Sequence, residues 1–202
     1  MNYIIVGLGN PGAEYDNTRH NTGWMAIDAL AKRISLDSDE WKEDKKLKSN
    51  IAKTKIGKNT ALLIKPLTFM NKSGDAVRSL VKSKKVAETL VVVHDDMDIP
   101  FGHIKISFNK SSGGHRGVES IIKAVKTESF IRMRIGIAPT TSSGKIKKPQ
   151  GEDAVIKLIL GKFKPAEQDA WKKIMKRAAE GLELIVTDGK DKATGKVNSE
   201  NN

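Results

Sequence analysis

The chain has 202 residues, 36 lysines and arginines against 24 aspartates and glutamates, and no cysteine. That length suits one ordinary domain with a core of its own, and the missing thiols exclude a disulfide framework, a cysteine nucleophile and a thiolate metal site. The formal charge of +12 fits either a solvated lysine-rich surface or a polyanionic partner, nucleic acid or an acidic membrane surface; the apolar runs are far too short to span a bilayer, and no secretory leader opens the chain.

In chain order, Tyr3-Ile4-Ile5-Val6 reads as a buried strand ended by Gly7. Between Thr22 and Arg33 the apolar residues Trp24, Met25, Ile27, Leu30 and Ala31 fall at helical spacing, with Thr22 as the N-cap. Residues 41–63 suggest two or three modest strands with a turn at Lys58-Asn59, and the run Ala61 to Ile64 is stopped at Pro66. Residues 76–81 form a short helix. Leu90-Val91-Val92-Val93 is apolar throughout and β-branched, hence a central strand. Residues 103–108 alternate as a strand, 117–125 are helical and 133–138 are a strand.

Residues 139–152 form a long polar loop with Lys145, Lys147 and Lys148, and a loop of that length is usually functional or disordered. Helices follow over 154–160 and 166–185. The second carries Ala170, Ile174, Met175, Ala178, Ala179 and Leu182 on one face and Lys172, Lys173, Lys176 and Arg177 on the other, a solvated face. The polar tail 187–202 is expected to be disordered. The alternation implies an α/β fold: one domain over residues 1–186, a twisted mixed β-sheet flanked by helices on both faces.

Gly7-Leu8-Gly9-Asn10-Pro11-Gly12 matches the dinucleotide fingerprint G-x-G-x-x-G after a strand. The context opposes that reading. A dinucleotide site needs a helix starting at the second glycine, whereas Pro11-Gly12 makes a turn and the helix begins near Thr22. Asp28, near the spacing of the expected ribose-binding acid, falls inside that helix instead of closing a second strand.

The same residues, with Tyr15 and Thr18-Arg19-His20-Asn21-Thr22-Gly23, closely resemble the bacterial-type peptidyl-tRNA hydrolase family. Four further blocks agree in order: Lys65 to Gly74 (KPLTFMNKSG), His94 to Pro100 (HDDMDIP), Ser112 to Gly117 (SGGHRG) and Arg132 to Ile137 (RMRIGI). The resemblance spans nearly the whole chain. It implies a cytoplasmic, monomeric enzyme without metal or cofactor. Such an enzyme cleaves the ester between a peptide and the 3′-terminal ribose of tRNA and so recycles prematurely released peptidyl-tRNA. A non-catalytic RNA-binding relative on the same fold is the alternative, and the joint presence of Asn10, His20, Asn71 and Asp95 argues against it.

Ester hydrolysis needs a nucleophile, a base and a holder for the oxyanion. No cysteine is present and no serine sits in a nucleophile elbow, so water is the nucleophile. Histidine is the usual base near neutral pH. Of His20, His94, His103 and His115, His103 lies in an alternating strand and reads as structural, and His94 alternates away from its neighbour Asp95. His20 lies in a polar loop after the first strand, where α/β sites gather, and matches the family's general base. Asp95, ending a strand at the same rim, matches the carboxylate that orients it. Asp96 and Asp98 compete, and Asp-Asp-x-Asp also suits magnesium, although no second acidic cluster lies nearby.

By resemblance Asn10 and Asn71 hydrogen-bond the peptide and the water; the plainer uses are a turn residue and an N-cap. Phe69 and Met70 are implied to border the peptide groove, Tyr15 to meet the tRNA end, and His115, Lys105 and Arg134 to contact substrate or phosphate. Residues 139–152 match the family's mobile lid. Two positions depart from the family: Ser107 replaces a phosphate-binding lysine, and Arg116 replaces an asparagine. Arg116 is expected to contact phosphate in place of the lost lysine, and if close to His20 it would lower that imidazole's pKa.

Overall fold

The computed structural model describes residues 1–201. Its strands are β1 (Asn2–Gly7), β2 (Lys42–Asp44), β3 (Ser49–Ile56), β4 (Asn59–Pro66), β5 (Leu90–Pro100), β6 (Ile104–Phe108) and β7 (Ile131–Ala138). They form one mixed sheet in the order β2-β3-β4-β1-β5-β7-β6. The four inner strands β4, β1, β5 and β7 run parallel. Antiparallel β3 and β2 flank one side and antiparallel β6 the other. The helices are α1 (Thr22–Arg33), α2 (Asp75–Arg78), α3 (Lys84–Ala87), α4 (Arg116–Val125), α5 (Glu152–Ile159), α6 (Gln168–Asp188) and α7 (Lys190–Ser199).

Both faces of the sheet are covered, which is why β5 is apolar at consecutive positions. Val91 and Val93 point into a core shared with Ile27 and Leu30 of α1 and Ile174, Leu182 and Ile185 of α6. Val92, between them, points to the opposite core with Val77 of α2 and Val118 and Ile121 of α4. Each such side chain contributes roughly 1.5–3 kcal/mol on full burial. The first turn of α1 rests on the strand ends through a glycine: a Cβ on Gly23 would meet the Leu8 nitrogen at 2.2 Å and the Val93 oxygen at 2.4 Å. That close approach puts the turn before α1 directly at the carboxyl end of β1 and beside Val93 of β5.

The structure departs from the sequence reading in several places. Thr22 is the first helical residue and follows Asn21; its hydroxyl donates to the Arg19 carbonyl at 2.6 Å instead of capping the helix. The β3–β4 turn falls at Gly57-Lys58, one residue early, where Gly57 supplies φ = 57°. The helix expected over 76–81 is the shorter α2, preceded by a 3-10 turn over Met70–Lys72. In α6 the buried position belongs to Trp171, and Ala170 is exposed.

The largest correction concerns the tail. Residues 187–202 were expected to be disordered, yet α7 packs Ala193 and Val197 into the core. The amides of Asn198 and Asn201 bond the edge strand, each accepting from one backbone N–H and donating to the same residue's carbonyl, at Ile106 and Ile104 respectively. A polar helix with two apolar anchors carries little periodic signal, and its stability comes from a strand distant in sequence. No helix among the described residues is long and apolar enough to cross a membrane.

Candidate active site

His20 lies in a 3-10 turn, Arg19–Asn21, between β1 and α1, and is buried. Asp95 projects from β5, the neighbour of β1. The two side chains meet, with His20 Nδ1 at 3.0 Å from Asp95 Oδ1 and 3.2 Å from Oδ2. An ionised carboxylate only accepts, so Nδ1 carries the proton and donates. Nε2 is then left as the basic nitrogen.

A second imidazole holds the same carboxylate. His115 is the N-cap of α4, and its Nδ1 accepts from the backbone N–H groups of Gly117 (3.2 Å) and Val118 (3.3 Å). Its Nε2 is therefore protonated and donates to Asp95 Oδ1 at 3.0 Å. Both nitrogens are committed inside the protein. His115 is thus a holder of Asp95, and its ring lines the cleft with both nitrogens engaged. His94 lies beneath, Nδ1 donating to the Asp95 carbonyl at 2.7 Å, its ring edge-on to His115 at 4.7 Å.

Electrostatics follow from this geometry. Burial alone disfavours charge on His20, but the Asp95 carboxylate, by its charge and its hydrogen bond, leaves the imidazole above its ordinary value; Arg116 pulls it back slightly. Burial would raise Asp95, yet His20 and His115, by charge and hydrogen bond, hold it far below the usual carboxylate range. Burial, His115 and Arg132 hold His94 neutral, well below the usual histidine range.

Asn10 follows β1, and its place is set by Asn21, a residue that sequence reasoning did not single out. The Asn21 carboxamide accepts from the Asn10 N–H and donates to the Asn10 carbonyl, both at 2.9 Å. The Asn10 side chain then accepts from the Met70 N–H at 2.8 Å through Oδ1. Its Nδ2 is the end left to offer a ligand, so Asn10 faces the site as a donor. The available signal for Asn21 was its position beside the base in the Thr18–Gly23 block.

Asn10, His20, Asp95 and His115 line a cleft of about 560 Å³ that also takes in Asn71 and Phe69. No serine, threonine or cysteine among the described residues lines it. Val155, Ile156, Ile159 and Leu160, on and just after α5, form its far wall. Among the described residues, three of the four exposed large apolar side chains, Phe69, Ile156 and Leu160, border it. Tyr15 stands outside, edge-on to Phe69 at 6.3 Å. Arg116 lines the mouth, with Nη2 at 2.8 Å from Glu152 on α5.

Lys105 and Arg134 are opposite one another across β6 and β7. Lys105 is exposed, whereas Arg134 is held by Asp96 Oδ2 at 2.7 Å. Asp96 is thereby occupied, and Asp98 pairs with Lys148, so the Asp-Asp-x-Asp run does not assemble a cation site. The register partner of Ser107 is Arg132, a buried cation, while Arg116 stands at the head of α4. Arg116 therefore stands on a different element from the lysine lost at 107. His20, Asp95 and His115 have a metal-binding donor set. A metal on His115 Nε2 would have to displace its proton while Nδ1 keeps its lone pair on two amides, which requires an imidazolate, so the geometry fits a hydrogen-bonded site better.

A buried imidazole–carboxylate pair at the edge of a cleft, beside a carboxamide donor, is an arrangement suited to a hydrolase. The chain belongs to the peptidyl-tRNA hydrolase family, whose sequence pattern matches residues 4–202. It is 41% identical over 180 residues to peptidyl-tRNA hydrolase of Aquifex aeolicus (89% of this chain, 87% of that one). It is 42% identical over 188 residues to that of Alkaliphilus oremlandii (93% and 94%). The crystal structure of peptidyl-tRNA hydrolase from Acinetobacter baumannii superposes with a TM-score of 0.84 at 30% identity, covering 98% of this chain and 94% of that one.

Proposed function

We propose that this chain hydrolyses the ester bond of peptidyl-tRNA with a water molecule activated by His20. The observation that carries the reading is the buried His20–Asp95 hydrogen bond of 3.0 Å, which leaves Nε2 as the base. Nε2 takes a proton from water as the water oxygen attacks the ester carbonyl carbon. The tetrahedral intermediate carries its negative charge on the former carbonyl oxygen. Its collapse breaks the bond to the ribose 3′ oxygen, and that oxygen takes the proton from Nε2. The products are a peptide acid and free tRNA. Asp95 stays ionised and stabilises the transient imidazolium, as in other imidazole–carboxylate sites.

Asn10 supports selectivity. Its free Nδ2 donor suits a peptide carbonyl. An unblocked aminoacyl ester lacks that carbonyl and would bring an ammonium group to another donor. The exposed carboxamide of Asn71, on the cleft wall, is the second group placed for the peptide or the water. Phe69 and Met70 border the peptide. The acceptor stem is gripped from the adjacent face of the sheet, where exposed Lys105 of β6 stands opposite Arg134 of β7, with phosphate as the ligand.

The test is release of labelled peptide from N-acetylaminoacyl-tRNA. A positioned general base supplies about 10²–10⁴-fold, so His20→Ala should lose at least that much turnover while binding of deacylated tRNA persists. Retention of most activity by His20→Ala would overturn the mechanism.

A further inference from the structure

Arg19 immediately precedes the base, and nothing in the reaction uses it. Its side chain is 7% exposed and points away from the cleft. Nη2 donates to both oxygens of Glu167, at 2.9 and 2.7 Å. The guanidinium lies 4.4 Å from the centre of the Phe163 ring, which stacks on Trp171 at 3.8 Å. The backbone joins the same place: the Arg19 N–H donates to the Gly161 carbonyl at 3.0 Å, and Thr18 bridges Lys162.

This anchor has two neighbours of consequence. On one side is the 3-10 turn that carries His20, closed by the Asn21 N–H to the Thr18 carbonyl and by the Thr22 hydroxyl to the Arg19 carbonyl. On the other is α5, the cleft wall, which ends at Ile159 and has no buried residue of its own. A largely buried ion pair is a weak reason for stability, since desolvation offsets much of the attraction. A well-packed apolar side chain would serve packing as well. What a guanidinium between a carboxylate and a ring adds is a defined position.

We propose that Arg19, through Glu167 and Phe163, is a positioning residue that fixes His20 against Asp95 and ties the base to the foot of the α5 wall. The inference rests on the reading of His20 as the base. Loss of the anchor frees the turn and lets the imidazole drift from its 3.0 Å contact. A misplacement of order 1 Å costs up to about 10²-fold in rate.

The charged and titratable groups facing His20 are Asp95 from β5 and His115 and Arg116 from the head of α4. Neither Arg19 nor Glu167 is among the causes of the His20 shift. Loss of the Arg19 cation alone would raise the His20 pKa, so a fall in Arg19→Gln reports geometry and not a lost charge. If His20 drifts outward, both burial and the carboxylate lose their hold, and the imidazole falls back toward its ordinary value, about 6.5.

The experiment compares the full-length wild type with Arg19→Gln, Arg19→Lys and Glu167→Gln. It measures peptide release from N-acetylaminoacyl-tRNA across pH, deacylated-tRNA affinity and melting temperature. Glu167→Gln keeps a hydrogen-bonding group at the anchor and tests the proposal even if the arginine variants do not fold. The expected result is a kcat reduced about 10- to 100-fold, an acid limb moved to lower pH and tRNA affinity within about twofold, with Arg19→Lys between wild type and Arg19→Gln. An unmoved acid limb in the folded variants overturns the proposal, whatever happens to melting temperature or rate. The reading of His20 as base stands or falls separately, on His20→Ala.

Discussion

Asp95 accepts from two imidazoles, and its contribution is electrostatic as well as geometric. It raises His20 against the opposing effect of burial, so the active, neutral imidazole predominates only above the ordinary histidine value of about 6.5. The acid limb of kcat/KM, which reports the free enzyme, should therefore lie above that pH. Asp95→Asn removes the negative charge while burial and Arg116 continue to lower the imidazole, so the limb should move to lower pH. The rate at the plateau should fall by about 10²–10⁴-fold, because an asparagine can also present its NH2 and turn the ring to the wrong tautomer. A pH–rate profile of the variant checks both. An acid limb unchanged in Asp95→Asn would mean that the carboxylate does not set the base. The contribution of Asp95 to stability has the same pH sense as the activity of the base and is lost at lower pH. Asp95 is depressed in the folded state, so its pairing stabilises the fold above the ordinary carboxylate pKa of about 3.9 and is lost as pH falls through the lower folded value.

At the scale of elements, what could be read from sequence and what could not divide by the range of the interactions involved. The β5 run and the α1 periodicity are local patterns; α1 stands where its pattern put it, while β5 begins at its apolar run and continues past Asp95 to Pro100. His20 and Asp95 were legible as candidates because each lies just beyond such a pattern. The roles of Asn21 and His115 were not, because they depend on which nitrogen or oxygen each donor reaches in three dimensions. The ordered tail was illegible for the same reason: Asn198 and Asn201 find their partners more than 90 residues away on β6. Those amides satisfy the outward backbone groups of an edge strand that would otherwise be open to pairing. Replacing either by alanine removes two hydrogen bonds to the edge strand, worth about 1–3 kcal/mol net. Asn198→Ala and Asn201→Ala should lower the urea midpoint accordingly and leave kcat of the folded protein unchanged. Unaltered stability in the double variant would show α7 to be held by Ala193 and Val197 alone.

The molecule as a whole carries +12, and the distribution of that charge decides which cations are available to a polyanion. Arg134 is bound to Asp96 and partly buried, so removing it disturbs a carboxylate as well as any phosphate contact. Lys105, exposed on the edge strand, has no such partner among the described residues and is the cleaner probe. Arg116 and Glu152 are 69% and 71% exposed, and a pair in that setting is worth about 0–1 kcal/mol, so a phosphate at the cleft mouth can take the place of Glu152. Binding of deacylated tRNA should weaken linearly on a log–log plot against salt, with a slope set by the number of phosphates neutralised. Lys105→Ala should weaken binding and flatten that slope by about one. Arg116→Asn should do the same, with the single-turnover chemical rate largely kept. Glu152→Gln should tighten binding, because it frees Arg116 without removing a cation. Filter-binding or fluorescence titrations from low to moderate salt distinguish these cases. If Arg116→Asn leaves both affinity and slope unchanged, Arg116 serves only its pair with Glu152 and its downward pull on the His20 pKa. A slope near zero for the wild type would reduce the whole positive charge to a solubility feature.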